Sequence, residues 1–330
     1  MATRSRSFPP SPEAEVSVRS SKTKKSESRP LAPTPKKSLL EMVGNTPMVR
    51  LEHVTSHLPD EVEVWAKLEF MNPGGSVKDR PARQIILDAL ETGELTPEKT
   101  LIDSTSGNTG IAYAMIGAAV GIDVALVMPE NVSPARKHIV STFGAEIIYS
   151  DPMDGSDGAQ RLCKELVDND EEGKYFYANQ YGNPNNPGAH VLTTAPEIWE
   201  QTDGRVTHFV ASTGTSGTIM GVTRGLKQFN SDIQTYGAQP SDAFHGLEGL
   251  KHMPSAIVPD IYHEDELSGV IYVDTEDGWD MAEKLARTEG IAAGNSAGAN
   301  VWAALKVAEE LDEGVVVTVI CDHADRYLGQ

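Results

Sequence analysis

Strand patterns alternate with helix patterns from residue 62 to residue 320, and this alternation limits the possible folds most strongly. In residues 62–70 every second residue is apolar, which is the period of a half-buried strand. In residues 82–90 the apolar residues recur at the three- and four-residue spacing of one helix face. Repetition of this pair predicts an α/β fold class with parallel sheets joined by crossover helices. Further strands are predicted at 101–103, 123–128, 145–150, 175–179, 206–211, 235–238, 270–274 and 315–320, with helices at 111–120, 133–144, 159–167, 189–201, 219–229, 279–287 and 299–311.

One lysine lies where a glycine turn meets a helix. In the stretch Asn72-Pro-Gly-Gly-Ser-Val-Lys78-Asp79-Arg80, the Asn-Pro-Gly-Gly run predicts a turn. Asp79 is predicted to cap the helix, because Pro81 fits only a first turn, and Gly93 is predicted to end it. Lys78 then lies beside the positive end of the helix dipole, where a neutral, nucleophilic amine is easier to reach. Such an amine can form a Schiff base with an aldehyde, although most lysines in such a position are solvated and do no chemistry.

Two later loops join a strand end to a helix start and can offer free backbone N–H groups to an anion. The first could hold a carboxylate with the hydroxyls of Thr105, Ser106 and Thr109, while Asn108 could reach a polar group on a neighbouring ring. The second, residues 212–218, could wrap a phosphate, but it lacks the lysine of a nucleotide triphosphate loop and the spacing of a dinucleotide loop. Either loop alone is explained by ordinary helix capping. Together with Lys78 they indicate a phosphorylated aldehyde cofactor that handles an amino acid.

In this order, and over residues 38–330, the motifs resemble the cysteine synthase and cystathionine β-synthase family of fold-type II pyridoxal phosphate enzymes. The resemblance implies two three-layer α/β/α domains with mostly parallel sheets, as in tryptophan synthase β-like proteins, and pyridoxal 5′-phosphate as cofactor. Residues 38–182 would form an N-terminal domain with the Schiff-base lysine and the substrate loop. Residues 183–330 would form a C-terminal domain with the phosphate loop. A homodimer is expected by analogy with the family.

The resemblance also implies roles for individual residues. Lys78 would form the internal aldimine, and Asn108 would contact the 3′ oxygen of the cofactor. Ser296 would face the pyridine nitrogen, and a hydroxyl there cannot keep that nitrogen protonated as a carboxylate would, which favours β-elimination. The substrate carboxylate would be held by Thr105, Ser106, Gly107, Thr109 and Gln180, and the cofactor phosphate by Gly214, Thr215, Ser216, Gly217 and Thr218, with Ser216 in place of the usual glycine.

The reaction implied is β-replacement that makes L-cysteine from O-acetylserine or O-phosphoserine and sulfide. Lys251 lies in a region where some relatives place a cation that selects O-phosphoserine, but a solvated surface lysine is an equal alternative. A cystathionine β-synthase, using serine and homocysteine, is another alternative, because the Lys78 motif is as typical of that branch. A catalytically silent amino-acid-binding module is a further alternative. It would be expected to have lost the lysine or the phosphate loop, and both are present here. Threonine dehydratases usually have histidine at the position of Thr109, so they match less well.

Charge divides the chain into two parts. Residues 1–37 carry nine Lys and Arg against three Asp and Glu, with few large apolar side chains, which predicts a disordered basic tail. The formal charge of −20 for the whole chain then leaves −26 on residues 38–330. So acidic a body disfavours nucleic acid and anionic membranes as partners and suits a cytoplasm of very high salt, which predicts a halophilic source.

The remaining features narrow location and chemistry. No apolar run approaches the length of a membrane span or a secretory signal, which predicts a cytoplasmic protein. Cys163 and Cys321 are too few for a disulfide framework, and Cys163 is predicted to pack in a core. The nine histidines show no metal-ligand spacing, so no metal is expected.

Overall fold

The structure, a computed structural model, describes residues 38–105 and 107–327, so the predicted basic tail lies outside the described residues. Strands and helices alternate as predicted. The strands are β1 (Met48–Arg50), β2 (Val62–Leu68), β3 (Thr100–Ser104), β4 (Asp123–Pro129), β5 (Glu146–Ser150), β6 (Tyr175–Tyr177), β7 (His208–Ser212), β8 (Gln234–Pro240), β9 (Gly269–Val273) and β10 (Gly314–Ile320). The helices are α1 (Asp79–Thr92), α2 (Asn108–Val120), α3 (Pro134–Thr142), α4 (Gly155–Asp168), α5 (Asn185–Ala189), α6 (Ala195–Gln201), α7 (Gly217–Phe229), α8 (Thr275–Thr288) and α9 (Asn295–Ala308).

These strands form two sheets, and both are mostly or wholly parallel. The larger sheet has the order β1-β2-β10-β7-β8-β9, in which β1 alone runs antiparallel to its neighbour. The smaller sheet has the order β5-β4-β3-β6 and is parallel throughout. The predicted α/β class is therefore confirmed.

Helices cover both faces of the larger sheet, as the alternation of buried residues along β10 shows. Val316 and Ile320 pack in one apolar cluster with α8 and α9. Val315, Val317 and Val319 pack in another cluster with α6 and α7. Successive strand residues point to opposite faces, so β10 is mostly apolar because both of its faces are buried. Its one polar side chain, Thr318, donates a hydrogen bond to the Val210 carbonyl.

The smaller sheet is covered in the same way. Leu126 and Met128 of β4 pack with α1 and α2, whereas Ala125 and Val127 pack with α4. Cys163 is buried in the α4 cluster, as predicted. Each sheet is thus the middle layer of a three-layer α/β/α arrangement.

The larger sheet takes strands from both sides of residue 182. β1 and β2 precede that residue, yet β2 pairs along its whole length with β10 at the far end of the chain. The division into two domains at residue 182 therefore stays a prediction about the chain.

Several predicted boundaries differ from the structure by a few residues, and three of these differences lie near Lys78 or change the type of an element. Asp79 is the first residue of α1 and Lys78 occupies the cap position, because the Asp79 carboxylate turns back to accept a hydrogen bond from the Gly74 N–H. The strand predicted at residues 62–70 is β2, which ends at Leu68. A single turn of 3₁₀-helix, Glu69–Met71, follows it and buries Glu69. The helix predicted at 189–201 is α5 and α6 joined by a π-helical segment, His190–Thr194.

Candidate active site

One cavity of about 260 Å³ gathers the predicted site residues that the structure describes. It lies where β3, β7 and β10 end, and the carboxyl ends of parallel strands are where ligands bind in α/β sheets. Ser106 lies outside the described residues. The predicted residues in the cavity wall are Lys78, Thr105, Gly107, Asn108, Thr109, Gln180, Gly214, Thr215, Ser216, Gly217, Thr218, Lys251 and Ser296. Their individual roles stay predictions.

Lys78 reaches the cavity from the end of the glycine turn. Gly75 has φ +80°, and a Cβ on it would lie 2.3 Å from the guanidinium of Arg326, so only glycine fits there. Arg326 also donates to the Gly74 carbonyl, which ties the turn to the end of the described chain. The Lys78 side chain is half-buried, and its amine makes no hydrogen bond or ion pair within residues 38–105 and 107–327. An unpaired amine at the start of a helix is available to attack an electrophile.

Buried ion pairs hold the other side of this turn. Arg80 lies 2.7 Å from carboxylate oxygens of both Glu69 and Glu197, and Lys67 lies 2.9 Å from Glu197. Burial alone would raise the pKa of Glu69, but the charge and hydrogen bonds of Arg80 outweigh burial and hold that pKa at about 2. The network fixes the backbone on which Lys78 sits, because a buried charge without its partner is strongly unfavourable.

The loop after β3 and the residue Gln180 lie side by side in the cavity wall and are hydrogen-bonded to each other. The Thr109 hydroxyl donates to Gln180 Oε1 at 2.8 Å, and Gln180 Nε2 donates to the Ser104 carbonyl at 2.9 Å. The hydroxyl proton of Thr109 is therefore already used in a hydrogen bond, whereas Gln180 has a second amide N–H that can donate to a carboxylate.

The buried carboxylate of Asp103 holds Gln180 and the end of β3 together. Asp103 is fully buried and accepts hydrogen bonds from the backbone N–H groups of Ser104 at 2.8 Å and Gln180 at 3.0 Å. Burial raises the pKa of Asp103 to about 7, although both N–H groups act in the opposite direction. Asp103 therefore joins the end of β3 to the segment that carries Gln180.

The loop between β7 and α7 has the features of an anion site. Ser216 adopts the left-handed conformation, φ +69°, and its hydroxyl is buried without a hydrogen-bond partner. Gly217 begins α7, and a Cβ on it would lie 1.8 Å from the Asn186 amide oxygen, so a larger residue would displace the Asn186 side chain. The Asn186 amide donates to the Gln180 carbonyl at 2.7 Å and to the Thr215 hydroxyl at 3.1 Å. Asn186 thus joins the β7–α7 loop to Gln180.

A neutral histidine supports the same loop. His190 lies in the π-helical segment, with Nδ1 2.8 Å from the Thr194 hydroxyl and Nε2 3.3 Å from the Thr218 hydroxyl. Burial lowers the pKa of His190 to about 3, so the ring is uncharged at neutral pH. No sequence motif indicated this histidine, because its partner lies 28 residues further along the chain.

Ser296 lies in the first turn of α9 and is buried in the cavity wall. Beside it, Cys321 also lines the cavity, 3.3 Å from the Asn300 amide. Burial raises the pKa of the Cys321 thiol to about 11, so the thiol stays protonated at neutral pH.

Sequence reasoning missed a polar group at the end of β10. Asp322 accepts hydrogen bonds from the Asn108 amide at 2.6 Å and the Tyr327 hydroxyl at 2.7 Å. Burial raises the pKa of Asp322, while those two hydrogen bonds and the positive charges of Lys78 and Arg326 oppose the rise. A signal was present, because Asp322 follows the last apolar strand at the sheet edge where ligands bind.

Lys251 is less free than the sequence suggested. Its ammonium lies 3.5 Å from Asp157, donates to the Ile257 carbonyl at 3.1 Å and lies 4.8 Å from the centre of the Tyr181 ring. It lines the cavity but already has a partial counter-charge.

Residues 38–105 and 107–327 contain no cluster of His, Cys, Asp and Glu that could hold a metal ion. In the same residues, no helix is long and apolar enough to cross a membrane.

Comparison with known proteins agrees with this geometry. Residues 39–322 match the family described as pyridoxal-phosphate dependent enzyme. The chain is 51% identical to the cysteine synthase of Aquifex aeolicus (strain VF5) over 298 residues, which cover 89% of this chain and 91% of that protein. The structure of O-acetyl serine sulfhydrylase isoform 3 from Entamoeba histolytica superposes with a TM-score of 0.86 at 36% identity, covering 93% of this chain and 94% of that one. The O-acetylserine dependent cystathionine β-synthase from Helicobacter pylori superposes with a TM-score of 0.84 at 33% identity, covering 90% and 98%.

Two mostly parallel α/β sheets, a cavity lined by Lys78 and the similarity to solved relatives define a fold-type II pyridoxal phosphate enzyme. The chain belongs to the pyridoxal-phosphate dependent enzyme family, and its relatives include cysteine synthases.

The residues present fit pyridoxal 5′-phosphate, the cofactor of this family. The Ser216 hydroxyl is buried without a partner at the start of α7, where a phosphate would satisfy it. The Lys78 amine faces the same cavity and has no competing hydrogen bond or ion pair among the described residues.

Proposed function

We propose that this chain is a cysteine synthase, which makes L-cysteine from an O-activated serine and sulfide by pyridoxal-phosphate-dependent β-replacement. The relatives named cysteine synthase support this activity. The observation that carries the proposal is the unpaired Lys78 amine in the same cavity as the orphan Ser216 hydroxyl. One end of that cavity offers a nucleophile for an aldehyde and the other offers donors for a phosphate.

The cofactor would be held at four points. Lys78 would bond to its aldehyde carbon, and Asn108 would contact its ring oxygen. Ser296 would face its ring nitrogen as a neutral hydroxyl. Its phosphate would be held by Gly214, Thr215, Ser216, Gly217 and Thr218. When bound, pyridoxal phosphate supplies a conjugated ring that accepts the electron pair left by a departing α-proton.

The amino-acid carboxylate would be bound by Gln180 together with the β3–α2 loop. The free N–H of Gln180 supports this role, because a carboxylate is the natural acceptor for an unsatisfied amide donor. Thr105, Ser106 and Gly107 would complete the carboxylate site. Thr109, whose hydroxyl already donates to Gln180, would contribute by holding that side chain in place.

Lys78 would also move the reacting proton. With the cofactor and the amino acid bound, the free Lys78 amine would remove the α-proton while the acyloxy or phosphate group leaves the β-carbon. Sulfide, as HS⁻, then adds to the β-carbon, and Lys78 returns its proton to the α-carbon. The balance is one leaving anion exchanged for one sulfide anion.

O-acetylserine is the proposed amino-acid substrate. Lys251 remains a candidate for a phosphate leaving group, but Asp157 offsets part of its charge, which weakens the case for O-phosphoserine. Homocysteine in place of sulfide is the second candidate, because one structural neighbour is an O-acetylserine dependent cystathionine β-synthase.

A substrate panel tests these choices. The purified, cofactor-loaded enzyme would be incubated with sulfide or homocysteine and each of serine, O-acetylserine and O-phosphoserine, and the products identified by mass spectrometry. Cysteine from O-acetylserine and sulfide at the highest kcat/KM is expected. Cystathionine as the main product, or no turnover with any pair, would contradict the proposal.

Location, assembly and source stay predictions. A homodimer is inferred by analogy with the family, and a cytoplasmic location is the prediction from the sequence. Light scattering would test the first and cell fractionation the second. A halophilic source is supported by the charge of −26 on residues 38–330.

A further inference from the structure

The buried carboxylate of Asp322 stands directly between the cavity and the end of the described chain. It is 1% exposed and lies in the cavity wall, one residue beyond Cys321. One oxygen, Oδ2, accepts both of its hydrogen bonds, from Asn108 Nδ2 and the Tyr327 hydroxyl. The other, Oδ1, is buried without a partner. Asp322 is therefore committed to two donors, one of which is a predicted cofactor contact.

The bond to Asn108 determines which way that amide points. The oxygen and nitrogen of an Asn side chain are similar in shape, so packing alone selects between the two orientations only weakly. A carboxylate can accept but not donate, so Asn108 must turn its NH₂ group toward Asp322. The second N–H and the oxygen of the amide then have fixed directions.

The same bond crosses the cavity. Asn108 is the first residue of α2, which follows β3 of the smaller sheet, whereas Asp322 follows β10 of the larger sheet. Tyr327 holds the carboxylate from its own side and lies 5.9 Å from the guanidinium of Arg136 on α3. Asp322 thus joins the two cavity walls.

We propose that Asp322 is a positioning residue that acts through Asn108, holding its amide in the orientation needed to contact the ring of the bound cofactor. This inference rests on the proposed function, because it takes Asn108 as a cofactor contact. A purely structural Asp322 would secure only the segment that ends in Tyr327, and its replacement would affect the fold without acting through Asn108.

A double-mutant cycle on the cofactor-loaded enzyme separates these two roles. Asp322→Asn keeps the size of the side chain and removes its charge. We expect the dissociation constant of pyridoxal phosphate to rise about tenfold, or ~1.4 kcal/mol, when this charge-assisted hydrogen bond is weakened. The absorption maximum of the bound cofactor should move, and kcat should fall while KM for the amino acid changes by less than about twofold, since the carboxylate site is untouched. Asn108→Ala should produce the same kind of change.

The decisive comparison is the double variant. If Asp322 acts through Asn108, adding Asp322→Asn to Asn108→Ala changes cofactor affinity by less than about twofold. Effects that multiply in the double variant, or an Asp322→Asn enzyme with the spectrum and affinity of the wild type, would overturn the proposal.

Two further variants complete the design. Asp325→Asn makes the same charge change at an exposed carboxylate outside the cavity, and it should leave spectrum and affinity unchanged.

Tyr327→Phe removes one of the two donors to Asp322 and should move the absorption maximum in the same direction by a smaller amount. This variant keeps the proposal testable if Asp322→Asn does not fold. If Asp322→Asn does not fold and Tyr327→Phe has the absorption maximum of the wild type, the proposal is also overturned. Failure of the proposed function is distinguishable, because it would appear as absent cysteine formation by the wild type, whereas this test reads cofactor affinity and the spectrum of the bound cofactor.

Discussion

Among single residues, Ser216 combines two unfavourable features in the cofactor-free geometry. A left-handed conformation costs a serine about 1–2 kcal/mol relative to glycine. A buried hydroxyl without a partner costs about 1–3 kcal/mol more. Both costs lie at the start of α7, so they are explained if the hydroxyl donates to the phosphate of the cofactor.

Ser216→Gly should therefore change stability and affinity in opposite directions. The cofactor-free variant is expected to gain about 1 kcal/mol in free energy of unfolding, since glycine adopts this conformation without strain. Its dissociation constant for pyridoxal phosphate should rise about tenfold through loss of one hydrogen bond to a charged group. Thermal unfolding and equilibrium dialysis measure the two effects.

A matched control is available for this pair of measurements. Asp203 also adopts a left-handed conformation, φ +51°, but it lies outside the cavity. Asp203→Gly should raise stability without changing affinity. Tighter cofactor binding by Ser216→Gly would show that the hydroxyl hinders the phosphate.

At the scale of elements, regular structure could be predicted because its cause is local. Strands such as β4 are buried on both faces and are mostly apolar, and a helix follows β4 as it follows most of the other strands. The anion loops could be predicted for the same reason, since strand, loop and helix start are adjacent in sequence. The strand β1 was missed, because its three residues pair with β2 alone and carry too short a pattern.

The parts that could not be predicted depend on distant contacts. Asp322 and Asn108 are 214 residues apart, and nothing near either residue indicates the other. The π-helical segment is similar, since it places His190 against Thr218 of a later helix and interrupts a pattern that reads as one continuous helix. The motifs therefore predicted residues that line one cavity, whereas the residues that hold them in place could be found only from the structure.

At the scale of the whole molecule, the chain is strongly acidic, with 48 Asp and Glu against 28 Lys and Arg. The ion pairs around Arg80 are buried, so dissolved salt weakens them little. Repulsion between surface carboxylates is different, because at 0.1–0.15 M salt it is largely screened beyond a separation of about 8–10 Å. A charge of −26 on residues 38–330 should make the folded state depend on dissolved cations.

Activity and melting temperature should both rise as potassium chloride is raised from dilute buffer to molar concentration. Sucrose at matched osmolarity is the control, because it favours burial of surface without screening charge, and it should restore less of the activity. Full activity with an unchanged melting temperature in dilute buffer would contradict a halophilic origin.

The central claim is a covalent bond between Lys78 and pyridoxal phosphate, and its most direct measurement is the visible absorption spectrum with and without that lysine. The loaded wild type should show the band of lysine-bound cofactor, and borohydride reduction should leave the cofactor on the peptide that contains Lys78. Lys78→Ala should lose the band and all turnover, whereas Lys284→Ala, at an exposed position on α8, should keep both. A wild-type protein that stays colourless after incubation with pyridoxal phosphate, or a Lys78→Ala variant with wild-type turnover, would contradict the account.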